Sequence, residues 1–596
     1  MRQHAATLLW RAGIAIALVC AVGLLPWLTR TDPALTVLRA RSAERDPDPR
    51  VLADIRARLG LDDGPFRLLG QWLAGLGRGD AGQSWISGGD VTPAVLQALG
   101  VSLLLMAAAL AVAAGTAALI CARTLRLGAH RRLDGRRAGG GGSAVLAALP
   151  EFLTASVLAT VVGVQLGWLP ALGWYGPRWT ILPALALGLP AGAVLGRLLD
   201  DLLPGAFAEP WALAAAARGL PGRSVARQAL RRCLPGLLPN TGLFAVGLTG
   251  GAVAVEQIFD IPGLGRTTLQ AALAQDLPVL QAGTLALVLL AAAFAGLAAL
   301  ATRLLVGTAL RDGALPSPHG PTPPARGIQP FAYGGLLALV IALGLPRDPL
   351  ALDTRRRLQA PSPAHPFGTD ALGRDVLARV AHGAVETLLL ALAIGAAALL
   401  IGVTLGLSPR LSGPLVDTVT ALPPVLVALL VTAVAGSGPA TPALAVGAVA
   451  WAPLAAHTSA LLRQERATLH ITATLAQGAG PWHLLRRELL PAVLPPVTRH
   501  ALLRLPGIAL ALASLAFLGL GAQPPAPEWG LLLAENQPYA ERAPWAVLAP
   551  AAALALLGAL AVTAAGGVRR PRRRPRPAVP EPRQRPRTTP HEVGTR

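Results

Sequence analysis

Lysine is missing from this chain: every one of its 52 basic residues is arginine, set against 31 acidic residues, for a formal charge of +21. Charge as a whole is scarce at 14%, aromatics reach only 4%, and 596 residues hold 3 Cys and 2 Met. Each shortage excludes something. Cys20, Cys121 and Cys233 are too few and too scattered for a disulfide framework or a Cys-x-x-Cys metal site, and they read as small apolar residues. Without lysine there is no G-x-x-x-x-G-K-[ST] loop, and the glycine run 139–142 cannot serve as one. The chain is therefore expected to be no enzyme, to bind no cofactor or metal of its own, and not to hydrolyse ATP alone. The Arg-rich tail 569–596 has no interleaved aromatics on which bases could stack, so nucleic acid is not an expected partner.

What the sequence has in abundance is apolar length. Hydrophobic residues make up 53%, with a mean hydropathy of +0.53. A hydrocarbon core roughly 30 Å thick takes about 20 mostly apolar residues per helix. About twelve such runs can be placed, near 8–28, 92–120, 144–166, 178–200, 234–256, 279–304, 329–346, 385–407, 415–435, 440–462, 489–516 and 545–567. The fold class expected is thus all-α and polytopic, six spans in each half. The first run lacks a small-x-small cleavage site and is read as a retained anchor rather than a signal peptide.

Arginine sets the orientation. Arg2 and Arg11, the loops 123–137 and 218–232, Arg303 and Arg311, Arg410, Arg463 to Arg487 and the tail from Arg569 all fall on one face if the N-terminus is inside, which makes that face cytoplasmic. The stretch 347–383 also holds several arginines yet lands outside, a local violation. The chain divides as 1–310, a Pro/Gly-rich linker 311–328, 329–568, and a basic tail 569–596 expected to be disordered and drawn to anionic lipid. The outer segment 29–91 carries two amphipathic stretches, Val51–Leu61 and Phe66–Leu76, expected to lie at the membrane surface.

Two inner loops repeat a pattern. In the first, Pro210 opens an Ala-rich helix containing Trp211, Ala215 and Arg218, Gly219 stops it, and a second stretch leads to Pro235. In the second, a helix over His470–Gln477 with Thr472 is stopped by Gly478, and a stretch from Trp482 leads to Pro495. A helix–Gly–helix elbow at a membrane surface is a stiff lever for a push from a cytoplasmic partner. One such loop is an ordinary connection with snorkelling arginines; two at matching places argue for a shared purpose.

These residues carry a resemblance to the permease subunits of bacterial ABC importers for dipeptides, oligopeptides and nickel. The first half resembles the B-type subunit through 59–65, 79–84, 166–170, 250–259 and Pro262-Gly-Leu-Gly265. The second resembles the C-type subunit through 365–377, 515–521, 523–530 and Ala543-Pro-Trp545. The resemblance spans about 8–567. It implies two six-helix permease halves related by an approximate two-fold along the membrane normal, a central path for a small solute such as a short peptide, two ATPase subunits on separate chains, and a solute-binding protein docking on an outer rim of 29–91, 257–278, 347–383 and 518–543. It also implies that Trp211–Gly219 and His470–Gly478 are the coupling helices that dock on the ATPases. The acidic residue usual in such loops is replaced by Leu213 and Thr472.

Other chemistry is less favoured. His365, Asp370, Asp375 and His382 could be read as a metal cluster. The plainer expectation is a helix capped by Thr369 or Asp370, with Arg374 and Asp375 as surface charges. Glu151, Glu256 and Asp417, near the expected membrane boundaries, keep open a proton relay and with it an alternative function, an ion-gradient-driven secondary transporter.

Overall fold

The computed structural model describes residues 49–59, 61–133, 149–306, 329–408 and 423–567 continuously, with shorter pieces between 13 and 38, 143 and 147, and 413 and 420. Residues 8–12, 14 and 15 of the first predicted span, the linker 311–328, Asp417 and the tail 569–596 lie outside the described residues, while the end of that first span forms a short helix, Leu25–Leu28. Those that are described form helices, with only two isolated bridges, Gln83 to Asp90 and Thr369 to Asp375. In the first half the helices are α1 (Pro49–Arg58), α2 (Pro65–Gly77), α3 (Val91–Ala129), α4 (Glu151–Leu158, continued by a π-helical stretch to Gln165), α5 (Pro177–Ala208), α6 (Pro210–Ala217), α7 (Gly222–Ile258), α8 (Leu264–Ala274) and α9 (Leu277–Val306). In the second they are α10 (Gln329–Gly344), α11 (Val376–Gly406), α12 (Pro424–Ala435), α13 (Ala440–Ala450), α14 (Ala452–Arg466), α15 (Leu469–Ala476), α16 (Leu490–Phe517), α17 (Trp529–Asn536) and α18 (Pro544–Gly567).

Seven of the described helical stretches are long and apolar enough to cross a membrane, and three shorter apolar helices add to them. The order of long and short helices repeats: α3 to α9 are matched by α11 to α18, with α13 and α14 together standing for α5. Both halves begin their first long helix on an aspartate, Asp90 and Asp375, each closing one of the two bridges.

The tightest pair in the first half is α3 against α5. Gly188, Gly192 and Gly196 lie one turn apart on α5, and a Cβ built on each would stand within 2.6, 2.5 and 2.9 Å of α3 atoms at Ala109, Ala113 and Ala117. In lipid, where the solvent is as apolar as leucine, such small-residue faces let backbones approach and gain packing contacts. The matching pair in the second half, α11 against α14, is equally close, but there Gly402 and Gly406 of α11 supply the face, against Leu454 and Thr458.

Prolines do not interrupt the long helices, in line with spans expected to run through them at 234–256 and 489–516. The stretch leading to Pro235 and the span after it form one helix, α7, and α16 runs through Pro495, Pro496 and Pro506. Inside a bundle, neighbouring groups can re-satisfy the carbonyl that proline leaves free. At 37 residues α7 is about 55 Å long; its first turns, with Arg223, Arg227, Arg231 and Arg232, exceed the core thickness.

Candidate functional site

Both elbows are short helices set at the start of the corresponding long helix. Each is eight residues long, α6 over Pro210–Ala217 and α15 over Leu469–Ala476. The second begins one residue earlier than expected and leaves Gln477 as its C-cap. In both, the residue after the C-cap is a left-handed glycine, Gly219 at φ +73° and Gly478 at φ +86°. The closing hydrogen bonds repeat as well. Gly219 N–H donates to Ala216 O and Leu220 N–H to Ala215 O, while Gly478 N–H donates to Leu475 O and Ala479 N–H to Thr474 O. This wrapped helix end satisfies carbonyls that would otherwise be orphaned and needs a residue that tolerates positive φ.

One face of each elbow is buried against its own half. Ala212 and Ala215 of α6 are buried, and the half-buried Trp211 packs against a cluster containing Cys121, Leu199, Leu203, Ala229 and Cys233. The three cysteines are free, Cys121 and Cys233 being buried in that cluster. Glu209, just before α6, pairs with Arg232 of α7 at 2.6 Å, and an Arg131 guanidinium donates to Leu213 O at 3.3 Å. Arg218 turns back to its own helix, its Nε donating to Ala214 O. In the second half Ile471 is the buried anchor, packed with Leu462, Leu484 and Leu489. His470 hydrogen-bonds Thr468 and lies 4.0 Å from Glu488 on the π-helical turn that leads into α16. Thr472 is exposed and donates to Thr468 O. Pro235 and Pro495 are inside α7 and α16, one to two turns beyond the elbow contacts.

Both outward faces carry exposed apolar side chains. Leu213 is 56% exposed, Leu469 88% and Trp482 69%. Ala212 and Ile471 hold the same helical position, as do Leu213 and Thr472, so the two elbows present equivalent faces with different side chains. Because α7 and the helical stretch ending in α16 follow directly after the elbows, each elbow is joined covalently and by packing to a long helix of its half.

At the opposite end of α7 and α16 lie α8 and α17, which meet the other half. Ser156 of α4 donates to Gln537 Oε1 beside α17 at 2.7 Å, Gln165 Nε2 donates to Ala540 O at 2.8 Å, and Gln275 Nε2 beside α8 donates to Thr432 O of α12 at 3.3 Å. Phe152 and Phe517 stack between halves at 5.9 Å.

The loop 345–375 corrects a reading of the sequence. The cap of α11 is Asp375, which accepts from Leu377 and Ala378 N–H, not Thr369 or Asp370. Arg374 is not a surface charge. It is buried with Arg379 in a network in which Asp370 Oδ2 lies 2.7 and 2.9 Å from the two guanidiniums, and Glu535 Oε2 lies 3.0 and 2.7 Å from them. Asp375 pairs with Arg347 and His365. His382 instead lies beside Ala378 O. Asp-x-x-x-Arg-x-x-x-x-Arg spacing on a capped helix start was the available signal for this buried network. Glu256, expected near a membrane boundary, is fully buried; Ser102 donates to it at 2.5 Å and Arg266 N–H at 2.9 Å.

Comparison with known proteins fits this doubled geometry. The chain matches the family described as binding-protein-dependent transport system inner membrane component twice, over residues 114–308 and 391–573, which together exceed half its length. A provisionally named peptide transport system permease protein of Brucella abortus is 33% identical over 295 residues, 46% of this chain and 90% of that protein. The glutathione transport system permease protein of Escherichia coli K12 is 30% identical over 254 residues, 42% of this chain and 80% of its own length. A D,D-dipeptide transport system permease protein of the same organism is 34% identical over 202 residues, 32% and 67% respectively. Each relative corresponds to about one half of this chain, so the chain is two permease units in tandem.

Proposed function

The chain belongs to the family of binding-protein-dependent transport system inner membrane components, and on that premise we propose that it is the transmembrane permease of an ATP-driven importer of short peptides, with two units in one polypeptide. The single observation that carries this reading is the pair of eight-residue elbows, each closed by a left-handed glycine and seated on a long helix of its half. Two ATPase subunits on separate chains dock on the exposed faces of α6 and α15, at the cytoplasmic side, with both termini of the chain on that side of a bacterial cell membrane. Their closure on ATP pushes the elbows. Since Trp211, Ala215 and Gly219 tie α6 to α7, and Ile471 and Gly478 tie α15 to the turn before α16, the push moves α7 and α16 as rigid rods whose far ends carry the contacts between halves. An extracytoplasmic binding protein delivers cargo at that far end. Relatives named for peptide, D,D-dipeptide and glutathione transport support short peptides as the cargo class. Because Leu213 and Thr472 present different surfaces at one helical position, the two ATPase sites differ.

Reconstitution with a pair of ATP-binding-cassette subunits and a binding protein from the same genome tests the reading: dipeptide uptake requires ATP and all partners. Uptake at full rate with an ion gradient and no ATPase refutes it and selects a secondary transporter.

A further inference from the structure

The two halves are built alike where their first long helix meets the turn before the short helix, and there they differ in polar satisfaction. Counted from the capping aspartates, Ser102 of α3 and Thr387 of α11 occupy the same position, twelve residues on. In the first half every polar group there is matched. Ser102 donates to Glu256 and accepts from Leu264 N–H at 2.8 Å, while the other Glu256 oxygen accepts from Arg266 N–H, so one carboxylate holds the start of α8.

The second half has no carboxylate on α16 at that level. It has Glu528 instead, in the turn that starts α17, and this side chain is 8% exposed. Among the described residues no arginine or histidine pairs with Glu528 and no donor bonds its carboxylate, although the chain carries 52 arginines. Arg379, whose NH2 group reaches Ala526 O in the same turn, has its NH1 group between Asp370 and Glu535. The Thr387 hydroxyl is also buried without a hydrogen-bond partner. The turn packs directly on this part of α11: Trp529 Nε1 donates to Val380 O at 2.7 Å, and Pro527 O presses on Gly383. Glu386 and Thr387 lie one turn beyond Gly383 along α11. Glu386 is exposed, and its charge acts on Glu528 and, after burial, is the second reason that the Glu528 carboxyl is pushed up to about 7.

We propose that Glu528 and Glu386, with the Thr387 hydroxyl, form a cation site in the second half that takes the primary ammonium of the cargo as it passes. This rests on the import reading above and deepens it. Acceptors from three side chains, two carboxylates and a hydroxyl, can meet the three N–H donors of an ammonium group. They offer at most five oxygens, short of the six to eight that a calcium ion takes. A buried carboxylate left without a donor is costly unless a partner arrives, and the first half, with its partners built in, has no such opening.

The test uses the full chain in lipid nanodiscs and dialanine as the probe, titrated calorimetrically at pH 8, with N-acetyl-dialanine and calcium chloride as parallel probes. Dialanine should bind the native chain, E528Q should weaken it at least tenfold, E528D should restore part of the affinity, and N-acetyl-dialanine should bind the native chain no better than dialanine binds E528Q. No dialanine binding to the native chain, equal affinity for the acetylated probe, no effect of E528Q, or a calcium site that displaces dialanine each overturns the proposal. E528Q removes a buried charge, so the variant should remain monodisperse on size exclusion. A separate uptake assay with ATPases and binding protein distinguishes the two readings. ATP-driven peptide uptake indifferent to E528Q leaves the importer standing and removes the site, whereas dialanine binding lost in E528Q without any ATP-driven uptake leaves the site standing and removes the importer.

Discussion

Two glycines at residue scale decide whether an elbow can close its helix. Gly219 and Gly478 hold φ +73° and +86°, with open space where a Cβ would stand, so the obstacle to substitution is backbone conformation alone. A non-glycine residue there costs about 1–2 kcal/mol; proline, locked near −65°, cannot adopt it. G219P or G478P should therefore leave membrane insertion intact, as judged by fractionation, and lower ATP-driven uptake at least tenfold. Normal uptake in both would mean the elbows do not transmit the stroke. Glu528 gives a second prediction at this scale, in pH. Burial first and Glu386 second raise its carboxyl from 4.5 to about 7. A raised folded-state value means stability present below about 4.5 is lost as pH rises through about 7, by at most about 3 kcal/mol. Across pH 5 to 8 the native chain should lose melting temperature relative to E528Q, whose curve should be flatter by that contribution. Parallel curves would place Glu528 in a wetter setting than its burial implies.

Helices are where sequence reading succeeded and where it stopped. The length of an apolar run is a one-dimensional property, so the predicted spans at 92–120, 178–200, 279–304 and 385–407 fall on α3, α5, α9 and α11. Which faces meet depends on helix rotation, which run length does not encode. The glycine face 188–192–196 belongs to that second kind of information, and so does the exchange of the glycines to α11 in the other half. Likewise Arg374 reads as a surface charge from its neighbours in sequence; only the arrival of Glu535 from a helix 161 residues away makes it a buried one. The spans expected at 234–256 and 489–516 run through Pro235 and Pro495, and so do α7 and α16, because a packed bundle outweighs the local rule against interior proline. A prediction follows for the α3–α5 pair: G192L places a side chain where α3 backbone lies 2.5 Å from the Cβ position. Overpacking of this kind costs about 1–3 kcal/mol, measurable as a lower melting temperature in detergent, whereas G296L on α9, with nothing within 4 Å, should be silent.

At the scale of the whole molecule the question is what holds the two units together. A single relative of little more than half this length matches one unit across 90% of itself, so the covalent join is not needed to make a unit. The contacts between units are themselves paired: Gln275, after α8, donates to Thr432 of α12, and Gln537, after α17, accepts from Ser156 of α4. Both lie at the end of α7 and α16 away from the elbows, with Phe152 against Phe517 between them. Direct hydrogen bonds of this sort contribute about 1 kcal/mol each, small enough to break and reform in a transport cycle, while the apolar packing around them keeps the units associated. Residues 1–310 and 329–596 produced as two chains should therefore co-purify and recover ATP-driven uptake to within a few-fold of the intact protein. Adding Q275A and Q537A to the split pair should weaken co-purification more than the same changes weaken folding of either chain alone. If the separated units do not associate even with both glutamines present, the linker rather than the interface holds the permease together, and the rods would have no hinge of their own at the far end.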